Sequence, residues 1–172
     1  LEMALEGRAV LPRHVHRQEG FAPHGEDAYI VDPVNVVCVH VREPHGVDAI
    51  DTGRGQLHQK LLADDRVLSM ERTNIFDGIV LPGLADVMVA DVSFTSLEKI
   101  LPAAIGHLIP KGHVIVLLKP QFEARRTDVP TGGVITDPLT QARVIGHFVK
   151  WAGDSNIRIR NLLSSPILGD KG

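Results

Sequence analysis

A single cysteine, Cys38, stands in 172 residues. It excludes an internal disulfide and suits a reducing compartment such as the cytoplasm. No apolar run approaches the ~18 residues that a membrane-spanning helix needs. The opening LEMALEGRAVLPRHVHRQEG lacks the apolar centre of a signal peptide, and with no Met at position 1 it suits a fragment. Neither sign of charge dominates: 18 Lys plus Arg face 21 Asp plus Glu, a formal charge of -3. There is thus no global nucleic-acid footprint, and any RNA affinity has to come from a local patch or a partner domain. Metal ligands at useful spacing are missing too. His14-x-His16 has no second pair to complete a site, so it reads as part of a polar loop and no metal is expected. No internal repeat or low-complexity segment is evident.

What is present is enough apolar sequence, 44%, for one domain with a single core. The most informative stretch runs from Leu84 to Glu123. Val87–Ala90 is a short apolar run ending at Asp91, and His113–Leu118 is another ending at Lys119 and Pro120. Runs without polar alternation suit strands buried on both faces. Between them Leu97, Ile100, Leu101, Ala104, Ile105 and Leu108 recur at helical spacing, with Thr95 and Glu98 as a capping box. The unit is a βαβ crossover, expected to be right-handed. Asp91 and Lys119 then leave the carboxyl ends of two parallel strands, the edge where open α/β sheets bind ligands.

Elsewhere, Leu1–Glu6 reads as the tail of a helix, and residues 7–33 are poorly patterned. Residues 34–41, rich in valine, form a strand candidate; 47–51 and 66–70 are two more, separated by a helix over about 56–63. After Lys119 comes an irregular stretch with two prolines, two glycines and the pair Arg125-Arg126. Asp137-Pro138 opens a helix, Asp as N-cap and Pro at the first turn, with Gly153 as its stop. Ile157, Ile159 and Leu162 alternate with arginines in a half-exposed strand. The expected fold is α/β, Rossmann-like and doubly wound, a mostly parallel sheet with helices on both faces. Residues 1–46 form a divergent N-terminal segment, and 47–172 the main domain.

Four features could carry chemistry. Asp51, at a strand end before Gly53 and Gly55, either accepts hydrogen bonds from ribose hydroxyls or caps the following helix. Asn74 either reads an adenine edge or closes an Asx-turn. Asp91 and Lys119 form either a structural ion pair or a site in which the lysine accepts a proton or orients a hydroxyl. A lysine base needs its ammonium form disfavoured by desolvation or a like charge. Arg125 and Arg126, beside Lys119, either meet phosphates or belong to a solvated loop.

The wording of the motifs goes further. ADVSFTSL (90–97), LLKPQFEA (117–124), GGVITDP (132–138) and SSPILG (164–169), with DTGRGQL (51–57) and ERTN (71–74) in the same order, closely resemble the haemolysin-A-type (TlyA) family of ribosomal RNA methyltransferases, of the FtsJ-like class. The resemblance is strong from Val47 to Gly172. It implies a Rossmann-like sheet that binds S-adenosylmethionine at its strand ends and 2′-O-methylation of ribose in ribosomal RNA or a ribosomal subunit. On that resemblance Asp51 binds the cofactor's ribose, and Asn74 and Ile75 border its adenine. Asp91 and Lys119 match two members of a Lys-Asp-Lys-Glu catalytic tetrad: Lys119 deprotonates or orients the 2′-hydroxyl, and Asp91 positions Lys119 and the methyl donor. Pore formation, suggested by the name, finds no amphipathic or spanning segment.

The chain also departs from the family pattern. A glycine-rich loop of the GASTGGFTD type is expected before Cys38, yet residues 19–37 supply no such motif. The tetrad's first lysine would fall upstream of Leu1, its glutamate beyond Gly172, and a small S4-type RNA-binding domain is expected at the N-terminus. The family's last strand, between 113–118 and 157–162, would then be missing and leave 157–162 without a neighbour. A non-catalytic RNA-binding remnant of the fold and a small-molecule Rossmann methyltransferase therefore stand beside the rRNA enzyme as readings.

Overall fold

The computed structural model describes residues 2–7, 36–42 and 46–167. The strands are β1 (Glu2–Gly7), β2 (Val36–Arg42), β3 (Gly46–Asp51), β4 (Val67–Glu71), β5 (Ala85–Ala90), β6 (Leu108–Leu117) and β7 (Ile157–Leu163). The helices are α1 (Gln59–Leu62), α2 (Leu97–Ile105), α3 (Pro120–Glu123) and α4 (Pro138–Asp154). One sheet of seven strands runs β4-β3-β2-β5-β6-β1-β7. The pairs β3–β4 and β5–β6 are parallel. β1 is antiparallel to both β6 and β7, so β7 runs with β6. β2 is antiparallel to both β3 and β5, with Val36 opposite Asp51 and Val39 opposite Val89. Five strands therefore share one direction, and the two reversed ones come from the divergent N-terminal segment.

The chain winds outward from β3 to β4 on one side of β2, and from β5 to β6 on the other. This is the switch point at which doubly wound sheets open a ligand crevice, outside the carboxyl ends of the parallel strands. Here those ends are Asp51, Glu71, Ala90 and Leu117.

The core forms where α2 and α4 cover one face. Met88 and Ala90 of β5 and Val114 and Val116 of β6 pack with Leu97, Leu101, Val144 and Phe148. At the β3–β4 end of the sheet Leu57, just before α1, lines a small cavity with Ala49, Ser69 and Glu71. Farther along it Val89 is 39% exposed. β5 and β6 were expected to be buried on both faces; from Gly112 onward β6 instead alternates buried and open positions.

Local chemistry sets the helix ends. Asp137 caps α4, accepting from the N–H groups of Leu139 and Thr140. Gly153 does not stop this helix, which runs to Asp154 and ends at Ser155. The cap of α2 is Ser96, whose hydroxyl accepts from Glu98 N, in place of the expected Thr95 box. The helix expected over 56–63 shortens to the single turn of α1.

β1 corrects two expectations. Glu, Met, Ala and Leu favour helix, yet the segment is extended because it fills the slot between β6 and β7, with Met3 opposite both Val116 and Leu162. Tertiary pairing overrides local propensity here, and β7 has a neighbour after all. Residues 8–35, which include His14, His16 and most of the segment compared with the glycine-rich loop, lie outside the described residues.

His40 of β2 is fully buried. Its Nε2 lies 3.5 Å from the Ala104 carbonyl, Nδ1 has no partner among the described residues, and the His107 ring meets it edge-on at 5.8 Å. Burial lowers its pKa below the ordinary 6.5, opposed by the Ala104 bond, reinforced by His107 and opposed by Asp48. The folded state thus favours the neutral ring, and below about pH 6.5 the unfolded chain binds more protons. Stability contributed by His40 is complete above that pH and is lost as pH falls through it. The urea midpoint is expected to drop between pH 7.5 and pH 5.5, and the drop should shrink in His40→Gln; an unchanged drop in that variant would assign it elsewhere.

Candidate functional site

Asp51 ends β3 and is 6% exposed. The Gly53 N–H donates to its Oδ1 at 2.6 Å, whereas Oδ2 is buried without a partner among the described residues. Burial pushes this carboxyl above its ordinary value; the Gly53 bond opposes the shift and the Glu71 carboxylate adds to it. Glu71, ending β4, accepts from Gly55 N at 2.6 Å, and Gly55 has the positive φ of 68° that this turn requires. Asp51 caps no helix, since the α1 cap is His58. An unsatisfied buried carboxylate oxygen is costly unless something supplies a donor.

Asn74 spends its side-chain oxygen on Phe76 N at 3.1 Å, the Asx-turn alternative. Ile75 is 3% exposed and belongs to the core, so only its backbone can border a ligand. Asn74 nevertheless lines a cleft of about 190 Å³ together with Thr52 and Phe76 on one side and Val92, Ser93 and Thr95 on the other. The cleft spans the ends of β3, β4 and β5, at the switch point.

Asp91 and Lys119 meet as expected. Lys119 Nζ lies 2.7 Å from Asp91 Oδ1, a close ionic contact not aligned as a hydrogen bond. It also donates to Ser93 Oγ at 3.0 Å. Lys119 precedes α3, in which Pro120 takes the first position and needs no N–H partner. Two further links join the β5–α2 and β6–α3 segments. Phe94 and Phe122 stack tilted at 5.4 Å. Glu123 accepts from Leu97 N at 2.8 Å and Ser96 Oγ at 2.6 Å. Burial raises the Glu123 pKa and these two bonds oppose the rise.

Phe94 has a φ of 62° and is 81% exposed. A bulky residue held in the left-handed region costs on the order of 1–3 kcal/mol, and such strain clusters at functional sites. Phe94, Gln121, Phe122 and Arg126 border a second cleft of about 370 Å³. Arg125 turns the other way, into a third cleft beside α4. Ser93, Phe94 and Glu123 were not singled out from the sequence, although DVSF directly after a strand and a Glu four residues past Lys119 were signals for them. Among the described residues no cluster could hold a metal ion, and no helix is long and apolar enough to cross a membrane.

Comparison with known proteins follows the same lines. The model of the FtsJ-like methyltransferase family matches residues 34–172. The chain belongs to that family. Among its relatives, Hemolysin A of Brachyspira hyodysenteriae is 37% identical over 129 residues, 73% of this chain and 54% of that protein. The 16S/23S rRNA (cytidine-2′-O)-methyltransferase TlyA of Mycobacterium tuberculosis is 37% identical over 128 residues, 73% of this chain and 48% of TlyA. The chain thus spans about half the length of these relatives. Solved structures of candidate hemolysins from Streptococcus thermophilus and Lactococcus lactis superpose with a TM-score of 0.58 each, at 38% and 37% identity; each match covers 62% of this chain, with 40% and 52% of theirs. The FtsJ-like fold and the haemolysin-A-type resemblance expected from the motifs are both established by these matches.

Proposed function

We propose that this FtsJ-like chain carries the site of an S-adenosylmethionine-dependent 2′-O-methyltransferase acting on ribosomal RNA in the cytoplasm. The observation that carries the reading is the Asp91–Lys119–Ser93 constellation at the carboxyl ends of β5 and β6, whose Ser93 lines the switch-point cleft. The orphaned Asp51 Oδ2 fits a ribose hydroxyl donor, and the Asn74–Ile75 segment fits the adenine side. Asp51, Asn74, Ile75 and Asp91 are the residues that would hold the cofactor. S-adenosylmethionine, when bound, supplies an electrophilic methyl group on sulfur.

The chain's own contribution is alignment. Lys119 orients the ribose 2′-hydroxyl and, once its own ammonium proton has passed to solvent, accepts the hydroxyl proton, while Asp91 and Ser93 fix where the lysine nitrogen stands. Holding the nucleophile in line is worth several kcal/mol of barrier. Phe94, exposed beside Lys119, offers a face on which an unstacked base can rest. Arg126, on the same cleft, can meet the phosphate of that nucleotide. Incubation of the chain with methyl-labelled S-adenosylmethionine and undermethylated ribosomal subunits is expected to yield a labelled 2′-O-methylnucleoside after digestion. Label confined to a base, or appearing on small hydroxyl acceptors, would contradict the reading.

One observation favours a second reading. β2 presents its amino end, Val36, where the parallel strands present carboxyl ends. A glycine-rich loop approaches the methyl donor from the carboxyl end of a parallel central strand, a geometry that β2 does not repeat. A non-catalytic RNA-binding chain that keeps the fold would be consistent with this; it predicts RNA binding with no heat on titration with S-adenosylmethionine.

A further inference from the structure

Arg125 and Arg126 are adjacent in sequence but line different clefts. The cleft of Arg125 has a volume of about 240 Å³ and lies between the α3 segment and α4. Arg143 and His147 of α4 border it with Arg125, and Ala124 lines both clefts, so the two adjoin. We propose that this α4 cleft is a phosphate subsite for the RNA strand whose ribose is presented to Lys119, with Arg125 and Arg143 as its anchors. This inference rests on the RNA-directed reading above.

The charges around the cleft support it. Arg125 is exposed, and its side chain makes no ion pair or hydrogen bond among the described residues. Arg143 is preset: Asp137 caps α4 and accepts from the Thr140 hydroxyl at 2.6 Å, and Thr140 Oγ1 in turn accepts from Arg143 Nη2 at 3.0 Å. Among the described residues its acidic neighbours are Asp128, at 3.6 Å, and Asp137, which reaches it through Thr140, so N–H donors remain for a bidentate oxyanion. The other lining carboxylate, Glu123, is turned away into its bonds with Ser96 and Leu97. His147 faces Glu98 at 3.2 Å and adds positive charge when protonated. A single strand leaving the Phe94–Phe122 cleft past Ala124 thus meets one guanidinium oriented by Thr140 and one without a side-chain hydrogen bond among the described residues, suited to a phosphodiester, which carries one negative charge.

The test is the salt dependence of binding to a short single-stranded RNA, measured by fluorescence anisotropy. Replacing both Arg125 and Arg143 with alanine is expected to weaken binding roughly tenfold at 0.15 M salt and to reduce the slope of log Kd against log salt by about 0.7, the counterions of one phosphate. Arg125→Ala alone, which breaks no ion pair or side-chain hydrogen bond among the described residues, should move the slope in the same direction. Unchanged slopes in both variants would overturn the subsite while leaving the function intact. Failure of the unaltered chain to bind RNA at any salt would overturn both. Inorganic phosphate, titrated against the arginine side-chain NMR signals, is expected to bind far more weakly than the RNA. Equal affinity would make the cleft a free-phosphate site and sink the proposal.

Discussion

Lys119→Ala is expected to lower methyl transfer by about 10²–10⁴-fold, the usual contribution of a positioned acid–base group. The more discriminating variant is Lys119→Arg. Arginine preserves the positive charge beside Asp91 Oδ1, 2.7 Å away in the native pair, but cannot give up its proton in a protein. If the lysine were only half of a structural ion pair, arginine would restore the rate. If it accepts the proton of the 2′-hydroxyl, both variants fail alike. Ser93→Ala removes one hydrogen bond to Nζ, worth about 0.5–1.5 kcal/mol, and should cost only several-fold. Rates for all three, measured by label transfer at saturating donor and RNA, decide the matter. A Lys119→Arg enzyme as fast as the native one would end the proposed role.

The largest expected effect on stability lies near the opposite edge of the sheet. Asp48 of β3 is fully buried, and its two oxygens accept from Arg42 of β2 at 2.9 and 3.1 Å. Arg42→Ala leaves that carboxylate buried and unpaired, at a cost of about 3–5 kcal/mol. Against a total stability of roughly 5–15 kcal/mol, many chains would be unfolded. The double variant Arg42→Ala with Asp48→Ala should be milder than Arg42→Ala alone, because no lone charge remains. Gly46→Ala should act in the same direction, since its added methyl would meet Arg42 Nη2 at 2.6 Å and Cζ at 2.7 Å. Urea midpoints of the variants check this; a loss under about 1 kcal/mol in Arg42→Ala would show that water or another group satisfies Asp48.

The residues that could be read in advance are those whose local chemistry and tertiary role agree. Asp91 and Lys119 follow apolar runs and leave parallel strands together, so periodicity alone placed them on one edge. Asp137-Pro138 marks the start of α4 because cap and first-turn preferences coincide there. The expectations that failed have physical reasons. VVCVHVR announces a strand, but alternation reads the same in both directions and does not reveal that β2 runs against its neighbours. EMALEG is made of helix formers, and only the empty slot between β6 and β7 extends it. Asn74 could close an Asx-turn, the favoured reading, or border an adenine, and the structure shows its side-chain oxygen on Phe76 N. Glu123 joins α3 to α2 across 26 and 27 residues, a contact that no spacing rule encodes. Phe94 was hidden because its significance is a backbone angle, not a residue type.

Asp51 combines these lessons: its position at a strand end was legible, and its unpartnered buried oxygen was not. The most direct test of the crevice at the ends of β3, β4 and β5 is calorimetric titration of this chain with S-adenosylmethionine, beside the Asp51→Asn variant, which can still accept from Gly53 N. Saturable heat at one donor per chain, strongly reduced in Asp51→Asn, is the result expected of a crevice that holds the methyl donor beside Lys119. No heat from the native chain at high protein concentration would contradict it and leave the RNA-binding reading in its place.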